Sequence, residues 1–176
     1  LENYLDVSVK PKHVPRFFLN DTIRYWRQMC VDFAGKERAP SKKWGLQNAK
    51  LRLSRKLLFA GGLLPILEAA SFAPEEMRSF LDAELLEPPS DRVARSFITH
   101  DAVEAGGRTM NAYDEFLAAL GDPERRARLM AVTRETVAES EDFAYVRKLA
   151  KTFDAGLGAL LFETDLEPLV REVGIF

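Results

Sequence analysis

The sequence contains very few of the side chains that bind metals or form disulfides. Cys30 is the only cysteine, which excludes a disulfide within the chain and a cysteine-based zinc site. The two histidines, His13 and His100, are too few for a histidine-rich metal cluster. We therefore expect no metal or other cofactor to be held by this chain alone.

Long hydrophobic runs are also missing. The most apolar segment, 57–70, is shorter than the roughly 20 residues that span a bilayer, and it contains two glycines, a proline and a glutamate. Residues 1–16 are polar and contain prolines, unlike a signal peptide. These features predict a cytoplasmic protein without a membrane partner. The first residue is leucine, which is compatible with a fragment cut from a longer chain.

Common catalytic motifs are absent. The sequence has no Asp-x-Asp pair, no Walker-type glycine loop, no His-Glu-x-x-His and no Gly-x-Ser-x-Gly. Acidic clusters such as 139–142 are typical of a helix start rather than of a metal site. We therefore expect no catalytic residues in this chain by itself.

Apolar residues recur at helical spacing, and no segment shows the sustained alternation of a strand. The sequence predicts an all-α helical bundle of about six to eight helices. Residues 1–16 are expected to be an extended segment, because Pro11 and Pro15 disfavour helix. Residues 17–176 are expected to form a single domain, with a basic helical hairpin over 17–70 and an acidic helical remainder over 71–176.

Capping residues predict where the first helices begin. Asn20 or Asp21 is expected to cap the first helix and Ser41 the second. The second helix carries an apolar stripe that we expect to be buried: Leu46, Ala49, Leu53, Leu57, Ala60 and Leu64.

Glycine and proline predict the interruptions. The glycines and proline of 61–65 are expected to bend or interrupt the second helix, and Gly106-Gly107 to separate two helices. The motif 121–123 predicts a stop followed by a new helix over 124–138, and a long last helix is expected after Ser140.

Positive charge is concentrated in one window. Between Arg38 and Leu67 there is no acidic residue, but there are seven basic ones. Because the whole chain carries a net charge of −2, the rest of it carries nine net negative charges. The near-neutral total, which gives no indication of nucleic-acid binding, therefore hides a segregated charge distribution.

Helical geometry collects part of this charge on one face. Asn48, Arg52 and Arg55 are spaced by four and three, and Lys56 flanks them. Lys43 lies earlier in the same helix. Unpaired like charges on one face are mildly destabilising, so the pattern predicts an anionic partner: a phosphate, a nucleic-acid backbone or an acidic protein surface. The alternative is that acids of the remainder fold onto this helix and form internal ion pairs.

A second pattern involves Arg95 and His100. Their spacing fits the R-x4-H pattern and resembles the HEPN ribonuclease-like family, in which both residues assist RNA cleavage. The pattern is short and arises easily by chance. Residues five apart lie about 140° apart around an ideal helix, so convergence requires a bend or a dimer partner. The alternative is a capping or surface histidine beside Asp101.

The segment 17–67 carries a further resemblance. Its words FFLNDTIRYWRQMCVDFAGK and KWGLQNAKLRLSRKLLFAGGLLPIL resemble the helical region that follows the catalytic domain in bacterial predicted nucleotidyltransferases of the DNA polymerase β superfamily. Beyond Ala70 the similarity is only that of a helical tail. The family's catalytic α/β domain, with its Gly-Ser motif and its Asp-x-Asp pair that holds two magnesium ions, has no counterpart in this sequence.

The resemblance implies a non-catalytic role. In such enzymes the helical domain closes one side of the cleft, and its basic side chains touch the triphosphate. By type and position, the matching residues are Lys43, Asn48, Arg52, Arg55 and Lys56. Magnesium and a nucleoside triphosphate are then expected only with an upstream catalytic domain of the same polypeptide. The remaining hypotheses are a stand-alone HEPN-like module and a scaffold that docks an acidic protein.

Overall fold

The computed structural model describes residues 13–37 and 43–173, and these ranges contain helices and no strand. The all-α prediction is therefore confirmed. The α-helices are α1 (Arg16–Glu37), α2 (Trp44–Lys50), α3 (Lys56–Glu68), α4 (Pro74–Leu86), α5 (Pro89–Thr99), α6 (Val103–Gly121), α7 (Pro123–Ala131), α8 (Glu141–Phe162) and α9 (Glu167–Val173). A π-helical turn, Leu51–Arg55, joins α2 and α3 into one continuous rod, so the described ranges hold eight separate helices.

The rod deviates from α geometry at a different place from the one predicted. Pro65 lies inside α3, and the helix continues through both glycines to Glu68. The irregular part is the π-helical turn, Leu51–Arg55. Ala49, Leu53 and Leu57 follow one another at spacings of four, and each such step overshoots an α-helical turn by about 40°. The wider π turn absorbs this drift and keeps all three residues in the core.

Two glycines predicted to interrupt helices instead allow helices to approach each other. A Cβ on Gly61 would lie 2.9 Å from Pro89, the first residue of α5. A Cβ on Gly106 would lie 2.6 Å from Cβ of Phe97. Gly106 and Gly107 are inside α6, so the predicted break there, with a new helix after it, is wrong.

Several helix ends also differ from the predictions. The first helix begins at Arg16, where the backbone N–H of Leu19 donates to the carbonyl of Pro15, and not at Asn20 or Asp21. The predicted cap Ser41 lies outside the described residues, as does the segment 1–12. The predicted helix over 124–138 is shorter, because α7 ends at Ala131.

The helix starts predicted after the motif 121–123 and after Ser140 are confirmed, and a side chain caps each of them. The carboxylate of Asp122 accepts from the N–H groups of Glu124 and Arg125 at the start of α7. The Ser140 hydroxyl accepts from the N–H of Phe143 at the start of α8. Side chains that accept these otherwise unpaired donors fix where each helix begins.

One main core joins all of these helices except α4, and it runs in sequence from Val14 to Val170. Met77 and Leu81 of α4 form a smaller cluster with Ala69. The predicted stripe of the rod is confirmed, because all six of its residues are buried. The most extensive helix pair is α6 with α8, followed by α3 with α5. None of the helices described by the structure is long and apolar enough to cross a bilayer.

Candidate anion-binding site

The rod fixes one arginine of the predicted basic face. Asn48, on the last turn of α2, is 8% exposed, and its Oδ1 accepts a hydrogen bond of 2.6 Å from Nε of Arg52. This bond uses the Nε–H of the guanidinium. The two terminal amino groups of the exposed Arg52 side chain remain available for an anion. Asn48 therefore positions Arg52, and its own burial makes direct contact with a ligand secondary.

Arg55 lies half-buried at the end of the π-helical turn, next to α1. The positive charge of Arg55 acts on the thiol of Cys30. Burial raises the pKa of that thiol, whereas the charges of Lys56 and Arg55 lower it. Neither Arg52 nor Arg55 forms an ion pair with any side chain that the structure describes. Internal neutralisation by the acidic remainder therefore does not extend to these two arginines within the described part of the chain.

Lys56 differs from the two arginines, because an acidic side chain of the remainder forms an ion pair with it. Its Nζ lies 2.6 Å from Oδ1 of Asp154 on α8, and both side chains are partly exposed. The internal ion-pair alternative thus applies to one of the predicted residues. Lys43 is exposed at the start of the rod, nine residues before Arg52, which corresponds to about 13 Å along a helix axis. It lies apart from the pair Arg52 and Arg55.

Arg95 and His100, the residues of the second pattern, contact different carboxylates. Arg95 on α5 pairs with Glu84 on α4. His100 caps the C-terminal end of α5, and its Nδ1 lies 2.6 Å from Oδ1 of Asp165. The His100 side chain is only 8% exposed, whereas that of Arg95 is 46% exposed. Within one chain, the two residues therefore do not share an open surface.

A polar group between α3 and α5 was not predicted. Glu68 at the end of α3 accepts a hydrogen bond of 2.5 Å from the buried Ser96 hydroxyl, and Nε2 of His100 lies 3.4 Å from the same carboxylate oxygen. Burial raises the pKa of Glu68, while the bond from Ser96 lowers it. Arg92 is 8% exposed, and burial lowers its pKa.

The sequence gives one signal for this group. Glu68 ends a nearly uncharged helix, and a charged residue at that place needs a partner when the helix is buried. The partners themselves lie 28 and 32 positions later in the chain, which no local pattern reveals. Their contacts tie α3 to α5 and to the turn before α9.

No group of three His, Cys, Asp or Glu side chains among the described residues is arranged to hold a metal ion. Comparison of the chain with protein-family models, with curated proteins and with solved structures finds no match. The geometry of the basic face is therefore the main indication of function.

Proposed function

We propose that this chain is an accessory helical domain that binds phosphate groups through Arg52 and Arg55, next to a nucleotide cleft whose catalytic residues lie on another domain. The observation that carries the proposal is the pairing pattern. These two arginines have no carboxylate partner among the described side chains, whereas the neighbouring Lys56 does.

The chemistry of Arg52 supports the same conclusion. A guanidinium held through Nε by a buried amide keeps its terminal edge in a fixed direction. Two parallel N–H groups on that edge match two oxygens of one phosphate. Since little side-chain freedom is then lost on binding, such an arginine favours a discrete oxyanion that offers two adjacent oxygens, such as a phosphate, over a diffuse negative surface.

In this proposal the chain performs no nucleotide transfer alone. Magnesium and its carboxylate ligands belong to a catalytic domain encoded upstream of residue 1 in the same polypeptide. The coding sequence upstream of Leu1 tests this part: it is expected to encode an Asp-x-Asp pair, and a native start at residue 1 would refute the simple form of the idea.

Binding of inorganic tripolyphosphate and of ATP, measured by titration calorimetry at about 0.1 M ionic strength, tests the anion site on the chain itself. We expect the Arg52→Glu/Arg55→Glu variant to lose at least about tenfold in affinity, since each lost phosphate contact of this kind costs about 1–3 kcal/mol. Lys148→Glu, on an exposed part of α8 that lines a different depression, is the control.

The control is expected to stay within about twofold of the parent chain, because a surface charge at a distance is screened. A loss of binding free energy in the control half as large as that in the double variant, which matches a charge change of two against four, would indicate a net-charge effect and would overturn the assignment. Unchanged affinity in the double variant, or no binding by the parent chain, would overturn it as well.

A further inference from the structure

A cavity of about 310 Å³ opens between α1, α3 and α8. Its walls are mainly apolar side chains, among them Phe59 and Leu64 of α3 and Leu157 and Phe162 of α8. On the α1 side, Trp26 stacks on Phe59 with ring centroids 5.2 Å apart. The volume lies at the lower end of the range found for small-molecule sites, which is about 300–1,000 Å³.

The cavity has a polar end and an apolar end. Lys56 meets Asp154 at one end, and the lining residues Leu64 of α3 and Leu161 and Phe162 of α8 follow about two turns further along their helices. The stretch from Lys56 to Leu64 covers eight residues, about 12 Å of helix. Lys56 and Asp154 are the only charged residues that line the cavity within the described part of the chain.

Positive charge exceeds negative charge at the polar end. Lys56 is neutralised by Asp154, but Arg55 is the preceding residue and Arg52 lies one turn earlier, and neither has a described carboxylate partner. On α1, Cys30 follows Trp26 by one helical turn, and both Lys56 and Arg55 lower its pKa against the larger effect of burial. The two arginines do not line the cavity themselves, but they place excess positive charge within about one helical turn of Lys56.

We propose that this cavity binds a small amphipathic anion, with an aromatic or short aliphatic body between Trp26 and α8 and a phosphate or carboxylate at the Lys56 end. A volume of about 310 Å³ equals that of about ten water molecules, which fits a bicyclic ring or a short acyl chain. The anionic half of the inference rests on the proposed phosphate-binding role of Arg52 and Arg55. The apolar half rests on the cavity alone.

Gly158 provides the test, because it lines the cavity and a Cβ at this position meets no atom within 4 Å. A leucine there occupies the cavity without displacing the backbone. Gly107→Leu is the matched control: Gly107 is also helical, exposed and without a neighbour within 4 Å. If Gly158→Leu does not fold, as judged by circular dichroism, the more flexible Gly158→Met takes its place.

The probe is 1-anilinonaphthalene-8-sulfonate, an aromatic anion that fluoresces in apolar sites. In a Trp44→Phe background Trp26 is the remaining tryptophan, so energy transfer from Trp26 reports that the dye is bound, and the comparison of the two glycine variants locates it. We expect one dye per chain, at least tenfold weaker binding in Gly158→Leu, and unchanged binding in Gly107→Leu. Equal dye binding in both glycine variants would overturn the proposal.

Displacement of the dye defines the ligand. Octyl phosphate and octanoate are expected to displace it, and their ranking distinguishes a phosphate from a carboxylate ligand. Octanol and inorganic phosphate are expected to be at least tenfold less effective. Equal displacement by octanol would show a plain apolar cavity and would overturn the anion assignment. The tripolyphosphate affinity of Gly158→Leu should remain within twofold of the parent. Dye binding therefore tests the cavity, and tripolyphosphate binding tests the proposed function independently.

Discussion

Nζ of Lys56 lies 2.6 Å from Oδ1 of Asp154, and this ion pair joins the rod to α8 at the polar end of the cavity. Among the charged residues predicted along the basic face, Lys56 is therefore the one that a carboxylate of the described part of the chain compensates. The pair is partly exposed, with 27% and 42% of the two side chains accessible, so its contribution to stability is small.

Removing the acid should free the cation. We expect Asp154→Asn to bind tripolyphosphate about three- to tenfold more tightly, because a negative charge near the phosphate is lost and Lys56 becomes available, a gain of about 1 kcal/mol. The melting temperature should change little. Calorimetric titration checks the affinity. Weaker binding in Asp154→Asn would place the phosphate elsewhere than beside Lys56.

The hydrogen bond from Arg52 to Asn48 gives a second prediction. In Asn48→Asp, a carboxylate replaces the amide oxygen that lies 2.6 Å from Nε of Arg52. The new ion pair competes with any bound anion, so tripolyphosphate affinity should fall at least about threefold. Combining this variant with Arg52→Lys in a double-mutant cycle should give a loss smaller than the sum of the two single losses. Additive losses would show that Asn48 does not position Arg52.

The packing between α6 and α8 gives a third prediction. A Cβ on Gly156 would lie 1.7 Å from Oγ1 of Thr109, whose hydroxyl donates to the carbonyl of Ala105. We expect Gly156→Ala to destabilise the chain by about 1–3 kcal/mol in urea unfolding, although alanine is the better helix former.

Gly158→Ala is its matched control on the same helix. It should stabilise the chain by about 0.5–1 kcal/mol, because nothing lies within 4 Å of the added methyl group. Thr109→Ala should restore part of the stability that Gly156→Ala loses, since it removes the clashing oxygen. If both glycine variants change stability equally, the close approach of the two helices is not as described.

The contact between α7 and α8 predicts a dependence on pH. The hydrogen bond from Arg128 lowers the pKa of Asp142 below its ordinary value of 3.8, against burial, which raises it. Arg125 donates to the same carboxylate at 3.0 Å. A lowered pKa in the folded state means that the stabilisation is present above pH 3.8 and is lost as pH falls through the lowered value.

Asp142→Asn should therefore melt about 2–4 °C lower than the parent at pH 7, the shift that a loss of about 1 kcal/mol produces in a domain of this size. The difference should vanish at a pH below the lowered pKa. Thermal unfolding followed by circular dichroism across pH 2–8 checks this, with the exposed Asp114→Asn as control. A gap that persists at the lowest pH would exclude titration of Asp142 as its cause.

The spacing of apolar residues was sufficient to predict the core of the rod, because burial along a helix repeats with a period that the sequence itself displays. The helix starts after Asp122 and Ser140 were predictable for a related reason: each side chain accepts a hydrogen bond from a backbone N–H two or three residues away. Such local chemistry is visible without knowledge of the tertiary structure.

Glycine was interpreted wrongly because its role depends on the neighbouring helix. Gly61 and Gly106 carry the same local signal as a helix break, but they face Pro89 and Phe97 of α5. In the rod, the two successive spacings of four around Leu53 are compatible with the wider turn, whereas the prediction assigned the irregularity to the glycines and proline of 61–65.

The basic face was predicted in outline but not in detail. Helical spacing placed Asn48 and Arg52 together, and the hydrogen bond between them agrees with it. Nothing local predicts that Asp154, 98 residues away, neutralises Lys56. The ligand of this face stays a prediction.

The contact between Phe97 and Gly106 also limits how the chain can diverge in evolution. With only 2.6 Å between Cβ of Phe97 and the place of a Cβ on Gly106, a larger residue at 106 requires a smaller one at 97. The two positions should therefore covary among relatives of this chain, whereas exposed positions such as Arg126 and Lys148 should change independently. Covariation of this kind would show that distant relatives keep the close approach of α5 and α6, even where the basic residues of the rod have been substituted.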